Sequence, residues 1–223
     1  MLPDTPAKAL IFDMDGTIVD NMRFHDDAWE RWYGGHGLPF ERATFSAQTA
    51  GMAIPDIIGP HFPGADVAEL DRLAEEKESV YRETYRPHVA ALTGLVGLLD
   101  RARSHDVPMA VGTAAAPPNI ALILDTLALR ERFTTIVSPS QGYRGKPHPD
   151  MFLAAAERMG VAPGDCIVFE DAPNGVEAAR RAGMRAVAIL TMLDAGAFAG
   201  FDNVVASVKD FAALDGHPAL RFG

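Results

Sequence analysis

Four carboxyl groups, a hydroxyl and an ammonium follow short apolar runs in this chain. Asp13 and Asp15 come after Ala9-Leu10-Ile11-Phe12, and Thr113 after the run from Pro108 to Gly112. Lys146 lies beyond Thr135–Ser138, and Glu170-Asp171 directly follow Cys166–Phe169. Gathered in one crevice, four carboxylates would repel one another, because like charges held close cannot all stay ionised without compensation. A divalent cation is the simplest remedy, and Mg2+ suits it: it takes oxygen ligands, keeps waters, and commonly binds one or two carboxylates together with substrate phosphate. A phosphoryl group is the matching target. The cation and Lys146 would screen an incoming phosphate dianion from the carboxylate that attacks it. Thr113 and the backbone amides of the Asp15-Gly16 turn would donate to the charge it carries. The one-residue spacing of Asp13 and Asp15 suggests a division of labour, since positions i and i+2 share a face at a strand end. Asp13 would attack phosphorus and become an acyl-phosphate, and Asp15 would protonate the leaving oxygen and later accept a proton from water.

The elements that must position these groups are legible as alternating strands and helices. Continuous apolar runs at 9–12, 108–112, 135–138, 166–169 and 185–190 read as parallel strands covered on both faces. Pro149–Gly160 places Met151, Phe152, Ala155 and Met159 on one helical face, and Asn174–Gly183 does the same with Val176, Ala179 and Ala182, each stopped by its glycine. The expectation is a doubly wound α/β core, with ligands beyond the carboxyl ends of its strands. From about Val19 to Pro87 the pattern is helical only. His25, Ala28, Trp29 and Trp32 share one helical face, and Asp66-Val-Ala-Glu69 resembles a capping box opening a long helix through Leu70, Leu73, Ala74, Lys77, Tyr81 and Thr84. The domain reading is therefore a catalytic core of 1–18 and 88–223 with an all-helical cap, 19–87, inserted after the first strand. Glu75, Glu76 and Glu78 read as a solvent-facing acidic side of that helix.

Bulk properties narrow the function classes. The chain has 223 residues and a formal net charge of −10, which argues against a nucleic-acid binder, for such a protein wants a basic surface to neutralise phosphates. An acidic protein that handles an anion needs a local positive centre such as a metal or a placed lysine. The single cysteine, Cys166, sits in an apolar run and reads as a buried small hydrophobe. The N-terminus lacks the basic and apolar regions of a signal peptide, and no run approaches the roughly 18 apolar residues of a membrane helix. The expectation is a cytoplasmic protein with no membrane or nucleic-acid partner, acting on a small phosphorylated metabolite as a monomer, with a dimer left open.

In order and surroundings, Asp13-Met-Asp-Gly-Thr17, Thr113, Lys146 and Glu170-Asp171 resemble the four motifs of the haloacid dehalogenase superfamily. The helical insert resembles that superfamily's cap of the first type. Phe12-Asp-Met-Asp-Gly-Thr-Ile-Val-Asp20, Gly145-Lys-Pro-His-Pro-Asp150 and Phe169-Glu-Asp-Ala-Pro-Asn-Gly175 point to the β-phosphoglucomutase-like phosphatases. The resemblance implies that Asp13 is the nucleophile and Asp15 the general acid/base. Thr113 and Lys146 would hold the phosphate, and Mg2+ would bind Asp13, the Asp15 carbonyl and Asp171, with Glu170 close by or acting through water. It also implies a cis Lys146-Pro147 bond, and a cap that closes over the site about linkers near Ile18–Asp20 and Arg86–Val89. Gly16, Ala114, His25, Met52 and Asn174 are its substrate-binding candidates. His25 matches a cap-entry histidine that helps orient the acid/base aspartate in sugar-phosphate mutases, and it reads equally as a ring packed beside Trp29. Trp29 and Trp32 read as cap core.

The departures from the pattern favour hydrolysis over mutation of phosphosugars. A mutase needs positive charge at both ends of a bisphosphate. Where β-phosphoglucomutase carries a cap-loop arginine and a lysine after the second motif, this chain has Ile54 and Ala116, unless Arg42, Arg23 or Arg144 substitutes. Met52, Ile54 and the Thr49-Ala50-Gly51 turn would then shape the leaving-group pocket. Two alternatives stand beside a phosphomonoester hydrolase: a phosphosugar mutase, and a non-catalytic phospho-ligand-binding module, which the completeness of the motifs disfavours.

Overall fold

A computed structural model describes residues 5–49, 54–218 and 220–222, the side chains of 43 and 46–48 excepted. It divides into two compact units: the chain up to Asp20 together with Ala90 onward, and Asn21–Val89.

The first unit is built on six parallel strands. They are β1 (Ala9–Phe12), β2 (Met109–Gly112), β3 (Thr135–Val137), β4 (Cys166–Glu170), β5 (Arg185–Ile189) and β6 (Val204–Val208), in the spatial order β3-β2-β1-β4-β5-β6. Five of these are the apolar runs of the sequence. The sixth was not anticipated: β6 is an edge strand, half-buried rather than buried throughout, and no α-helix separates it from β5 as the alternating pattern would require. Alternation along the strands sends Ala9, Ile11, Ala110, Cys166, Val168, Ala186 and Ala188 into one apolar cluster. That cluster is completed by α7 (Asp150–Met159) through Met151, Phe152 and Ala155, and by α8 (Pro173–Arg181) through Val176, Ala178 and Ala179. From the alternate β1 and β4 positions, Phe12 stacks on Phe169 with centroids 4.6 Å apart, and Phe211 meets both. The remaining helices of this unit are α5 (Leu95–Ser104) and α6 (Pro117–Thr126).

The order places β1 beside β4 where the winding reverses direction, the position at which open α/β sheets bind ligands beyond their carboxyl ends. The ladder runs past the assigned strands there. The Asp13 amide donates to the Phe169 carbonyl at 2.9 Å, and the Thr113 amide to the Val137 carbonyl at 3.1 Å.

The second unit holds α1 (Met22–Gly35), α2 (Arg42–Thr49), α3 (Ile54–Ile58) and α4 (Val67–Tyr85). Asp66 caps α4, its Oδ1 accepting the Glu69 amide at 2.9 Å, as the capping-box reading expected. Trp29, Trp32, Tyr33, Phe45, Ile58 and Leu73 form an apolar cluster, so both tryptophans are core residues of this unit. The solvent-facing reading of Glu78 is corrected. Glu78 is buried and its Oε1 accepts from Lys77 Nζ at 2.8 Å, while Glu76 pairs with the exposed Arg72 and Glu75 with the half-buried Arg82. Helical spacing shows which positions share a face, but not which charged side chains find a partner inside.

Gly94 opens α5 with φ of 80°, and a Cβ there would lie 2.2 Å from the Ala212 backbone nitrogen. Gly94→Ala is therefore expected to cost about 2 kcal/mol or more, from the left-handed conformation and the clash together. Gly97, inside the same helix, has open space around its absent Cβ. Gly97→Ala should gain up to about 1 kcal/mol through helix propensity. Opposite shifts of the melting temperature confirm this account, and equal shifts contradict it.

Candidate active site

The site forms where β1, β2 and β4 end. Asp13 directly follows β1 and is 6 % exposed; Glu170 closes β4 and Asp171 follows it, and Thr113 follows β2, all three buried. Lys146 comes from the loop after β3, and its peptide bond to Pro147 is cis. Its Nζ donates to Asp13 Oδ1 and, at 2.5 Å, to Glu170 Oε1. Glu170 Oε2 accepts the Ala172 amide at 3.1 Å, which ties that carboxylate to the start of α8. Carboxylate oxygens of Asp13, Glu170 and Asp171 all lie within 4.8 Å of one another.

Three buried carboxyls against one ammonium leave an excess of negative charge, and the proton affinities follow. Burial, opposed by Lys146 and reinforced by Glu170 and Asp15, pushes Asp13 up to about 8. Burial, then the charges of Glu170 and Asp13, holds Asp171 well above the usual carboxylate range. For Lys146 burial acts downward, but the charges of Asp13 and Glu170 outweigh it and raise the ammonium above its ordinary value. A hard divalent cation fits this donor set: three oxygen ligands within its reach and a surplus of about two charges. The residues that would hold it are Asp13, Glu170 and Asp171.

Two glycines make the packing possible. Gly16 has φ of 76°, and a Cβ there would lie 1.9 Å from Asp171 Oδ2. A Cβ on Gly175, in the first turn of α8, would lie 1.8 Å from Glu170 Oε1. The Gly16 carbonyl accepts a 2.6 Å hydrogen bond from Thr191 Oγ1, just past β5. Gly175 was legible only as part of a motif, and Thr191 had no local signal at all.

The other sequence candidates fall as follows. Asp15 lies after β1, half-buried and outside the 4.8 Å carboxylate cluster, although its charge still acts on Asp13. Strand β1 ends at Phe12, and the turn at residues 16–18 follows Asp15. Thr113 is not a helix cap. Helix α6 begins at Pro117, and the Thr113 hydroxyl instead accepts the Ala115 amide at 3.1 Å, leaving its own hydrogen to donate. Ala114 is exposed in the loop between them, and Asn174 is half-buried in the first turn of α8. Met52, with Ala50 and Gly51, lies outside the described residues. Arg42 is held by Asp27 and Glu30, and Arg144 by both oxygens of Asp150.

His25 belongs to the second unit. Its ring stacks on Tyr81 with centroids 3.7 Å apart, and Lys77 Nζ lies 3.0 Å from its Nδ1. Lys77 is 2 % exposed; the sequence reading placed it on the helical face without seeing this cluster.

The family model of the haloacid dehalogenase-like hydrolases matches residues 7–183. Over 182 residues the chain is 38% identical to the fructose-1-phosphate phosphatase YqaB of Escherichia coli (strain K12), covering 80% of this chain and 94% of that one. It is 33% identical over 192 residues to the β-phosphoglucomutase of Bacillus subtilis (strain 168), covering 82% and 83% of the two chains. The crystal structure of a HAD hydrolase, family IA, variant 3, from Entamoeba histolytica HM-1:IMSS superposes with a TM-score of 0.84 at 23% identity, covering 92% of this chain and 94% of that one, and so shares the fold.

The raised Asp13 value has a consequence for stability. The folded state keeps a proton that the unfolded chain releases near its ordinary value of 3.8. That contribution is complete below the unfolded value and is lost as pH rises through about 8. With a chelator present, stability should fall between pH 5 and 8.5 by up to about 1.4 kcal/mol per pH unit for each such proton. Excess Mg2+ should flatten the decline. Parallel melting curves with chelator and with Mg2+ would contradict the charge excess.

Proposed function

The chain belongs to the haloacid dehalogenase-like hydrolases, and on that footing we propose that it is a Mg2+-dependent phosphatase acting on a small phosphomonoester through an aspartyl-phosphate on Asp13. The observation that carries the reading is the contact of Lys146 with Asp13 and Glu170 inside the Asp13, Glu170 and Asp171 cluster. It joins a nucleophile, a phosphate-binding cation and a metal-ligating set at the ends of adjacent strands.

The chemistry assigned to these residues proceeds in two displacements. Asp13 Oδ forms a bond to phosphorus as the bond from phosphorus to the ester oxygen breaks, and Asp15 delivers its proton to that oxygen. A water molecule then attacks phosphorus and gives its proton to Asp15 as the bond to Asp13 breaks, which releases phosphate. Lys146 and the Thr113 hydroxyl hold the equatorial oxygens of the transferring group throughout. A bound divalent cation supplies charge neutralisation between Asp13 and the phosphate, and keeps Asp13 ionised at neutral pH. Sugar phosphates are the favoured substrate class, by analogy with the fructose-1-phosphate phosphatase relative.

A phosphosugar mutase is the second reading, favoured by the Bacillus subtilis relative. Two observations weigh against it. Ile54, read from the sequence as standing where a mutase carries an arginine, packs against the apolar cluster of its unit, and Arg42 and Arg144 are already neutralised by carboxylates. A non-catalytic module would have no reason to keep a buried carboxylate triad and its lysine together.

With Mg2+ and an aryl phosphate, the protein is expected to release inorganic phosphate, and Asp13→Asn to lower turnover by more than about a thousandfold. Absence of turnover across a panel of sugar phosphates would favour the binding module. Isomerisation of glucose 1-phosphate that depends on glucose 1,6-bisphosphate would establish the mutase instead.

A further inference from the structure

We propose that Thr191 is a positioning residue that sets the width of the carboxylate cage, and through it the affinity for the divalent cation. The proposal rests on the phosphatase reading above. Thr191 Oγ1 donates to the Gly16 carbonyl at 2.6 Å across a sequence separation of 175 residues. The strand order β1-β4-β5 means that this bond does not join neighbours. It runs from the end of β5 to the turn after β1, on either side of the end of β4, where Glu170 and Asp171 emerge. On the far side of β5, the Leu190 amide donates to the Val208 carbonyl at 2.8 Å, so the segment that carries Thr191 is anchored to β6 one residue earlier. The next two residues, Met192 and Leu193, are exposed, which leaves Thr191 as the point where this segment turns inward.

The turn it grips presses directly on Asp171. Gly16 sits at φ of 76° with the Asp171 carboxylate against the hydrogen where a Cβ would be. Within the turn, the amides of Thr17, Ile18 and Val19 all converge on the single Met14 carbonyl. The Gly16-Thr17 peptide is thus held at both edges, its Thr17 amide by the Met14 carbonyl inside the turn and its Gly16 carbonyl by the Thr191 hydroxyl outside it. Holding that plane sets the Asp15-Gly16 plane before it and the approach of the turn to Asp171. The ends of β1 and β4 are held by their own ladder, but without the hydroxyl the Gly16 turn can shift against Asp171, and the Asp13 and Asp171 oxygens lose the spacing that a small cation needs. Partners that orient metal ligands from outside typically change affinity by about 10–100-fold when removed.

The test uses the full chain and Mn2+ as probe, its binding followed by electron paramagnetic resonance with no substrate present. Thr191→Val keeps the shape and loses the hydroxyl; Thr191→Ala loses it without steric demand; Thr191→Ser keeps it. Valine and alanine should each weaken Mn2+ binding about tenfold, and serine should stay within about twofold of the native protein. With aryl phosphate, the first two should raise the Mg2+ concentration for half-activity while leaving KM at saturating Mg2+ unchanged. Native Mn2+ affinity in both hydroxyl-free variants overturns the proposal, as does a serine variant as weak as valine, which would trace the effect to packing. A native protein that neither binds Mn2+ nor releases phosphate overturns the phosphatase reading itself, an outcome visible before any variant is made.

Discussion

The structure turns on one imbalance: three buried carboxyl groups at the ends of β1 and β4, and one largely covered ammonium from the loop after β3. Removing charges from water costs several kcal/mol per ion even after relaxation. Lys146 offsets part of that cost with direct bonds to Asp13 and Glu170, and the Ala172 amide offsets a little more. What remains appears as raised proton affinity at Asp13 and Asp171. A fold does not keep such a surplus for stability, since a buried pair can be replaced by apolar residues without loss. On the proposed function, the surplus is the recognition element for a small, doubly charged cation, and the phosphoryl chemistry would follow from having one there.

The rest of the first unit is arranged so that this crowding is geometrically possible. A parallel sheet buried on both faces sends β1 and β4 in register, so that Asp13 and Glu170-Asp171 arrive at the same level. The space their carboxylates fill exists because Gly16 and Gly175 lack a Cβ. Each of these glycines touches a different carboxylate, and each sits on a different element, the turn after β1 and the first turn of α8. The cage is thus bounded by backbone rather than by side chains that could swing aside, which is the condition for holding ligand atoms at fixed spacing.

How much of this the sequence disclosed depended on whether the signal was local. Strand β1 was legible to the residue because all four of its positions are apolar and buried, and an aspartate follows at once. The cluster of Asp13, Lys146, Glu170 and Asp171 was legible because parallel strands place their carboxyl ends together whatever the loops do. Strand β6 escaped because it breaks the strand–helix alternation: only the short turn of Ala195–Phe198 separates it from β5. Glu78 was misplaced because a helical wheel ranks charged positions as outward, while a lysine on the same helix supplied a partner inside. Thr191 was invisible because its bond closes a loop of 175 residues, and a threonine after a strand has no distinguishing context.

The second unit gives the contrast that makes the imbalance meaningful. It too buries a lysine, Lys77, in contact with a carboxylate, Glu78, an imidazole nitrogen of His25, and the Trp29 ring 4.8 Å away. There one ammonium meets one carboxylate, an imidazole nitrogen and an aromatic face, an arrangement with one carboxylate to one ammonium. The cluster around Lys146 does not close: its lysine meets two carboxylates directly, with a third within 4.8 Å of both. Burial of a lysine is thus not what distinguishes the two places. The distinguishing property is the net charge among these partners, and among the described residues it is beside Asp13 that three carboxyls gather around one ammonium.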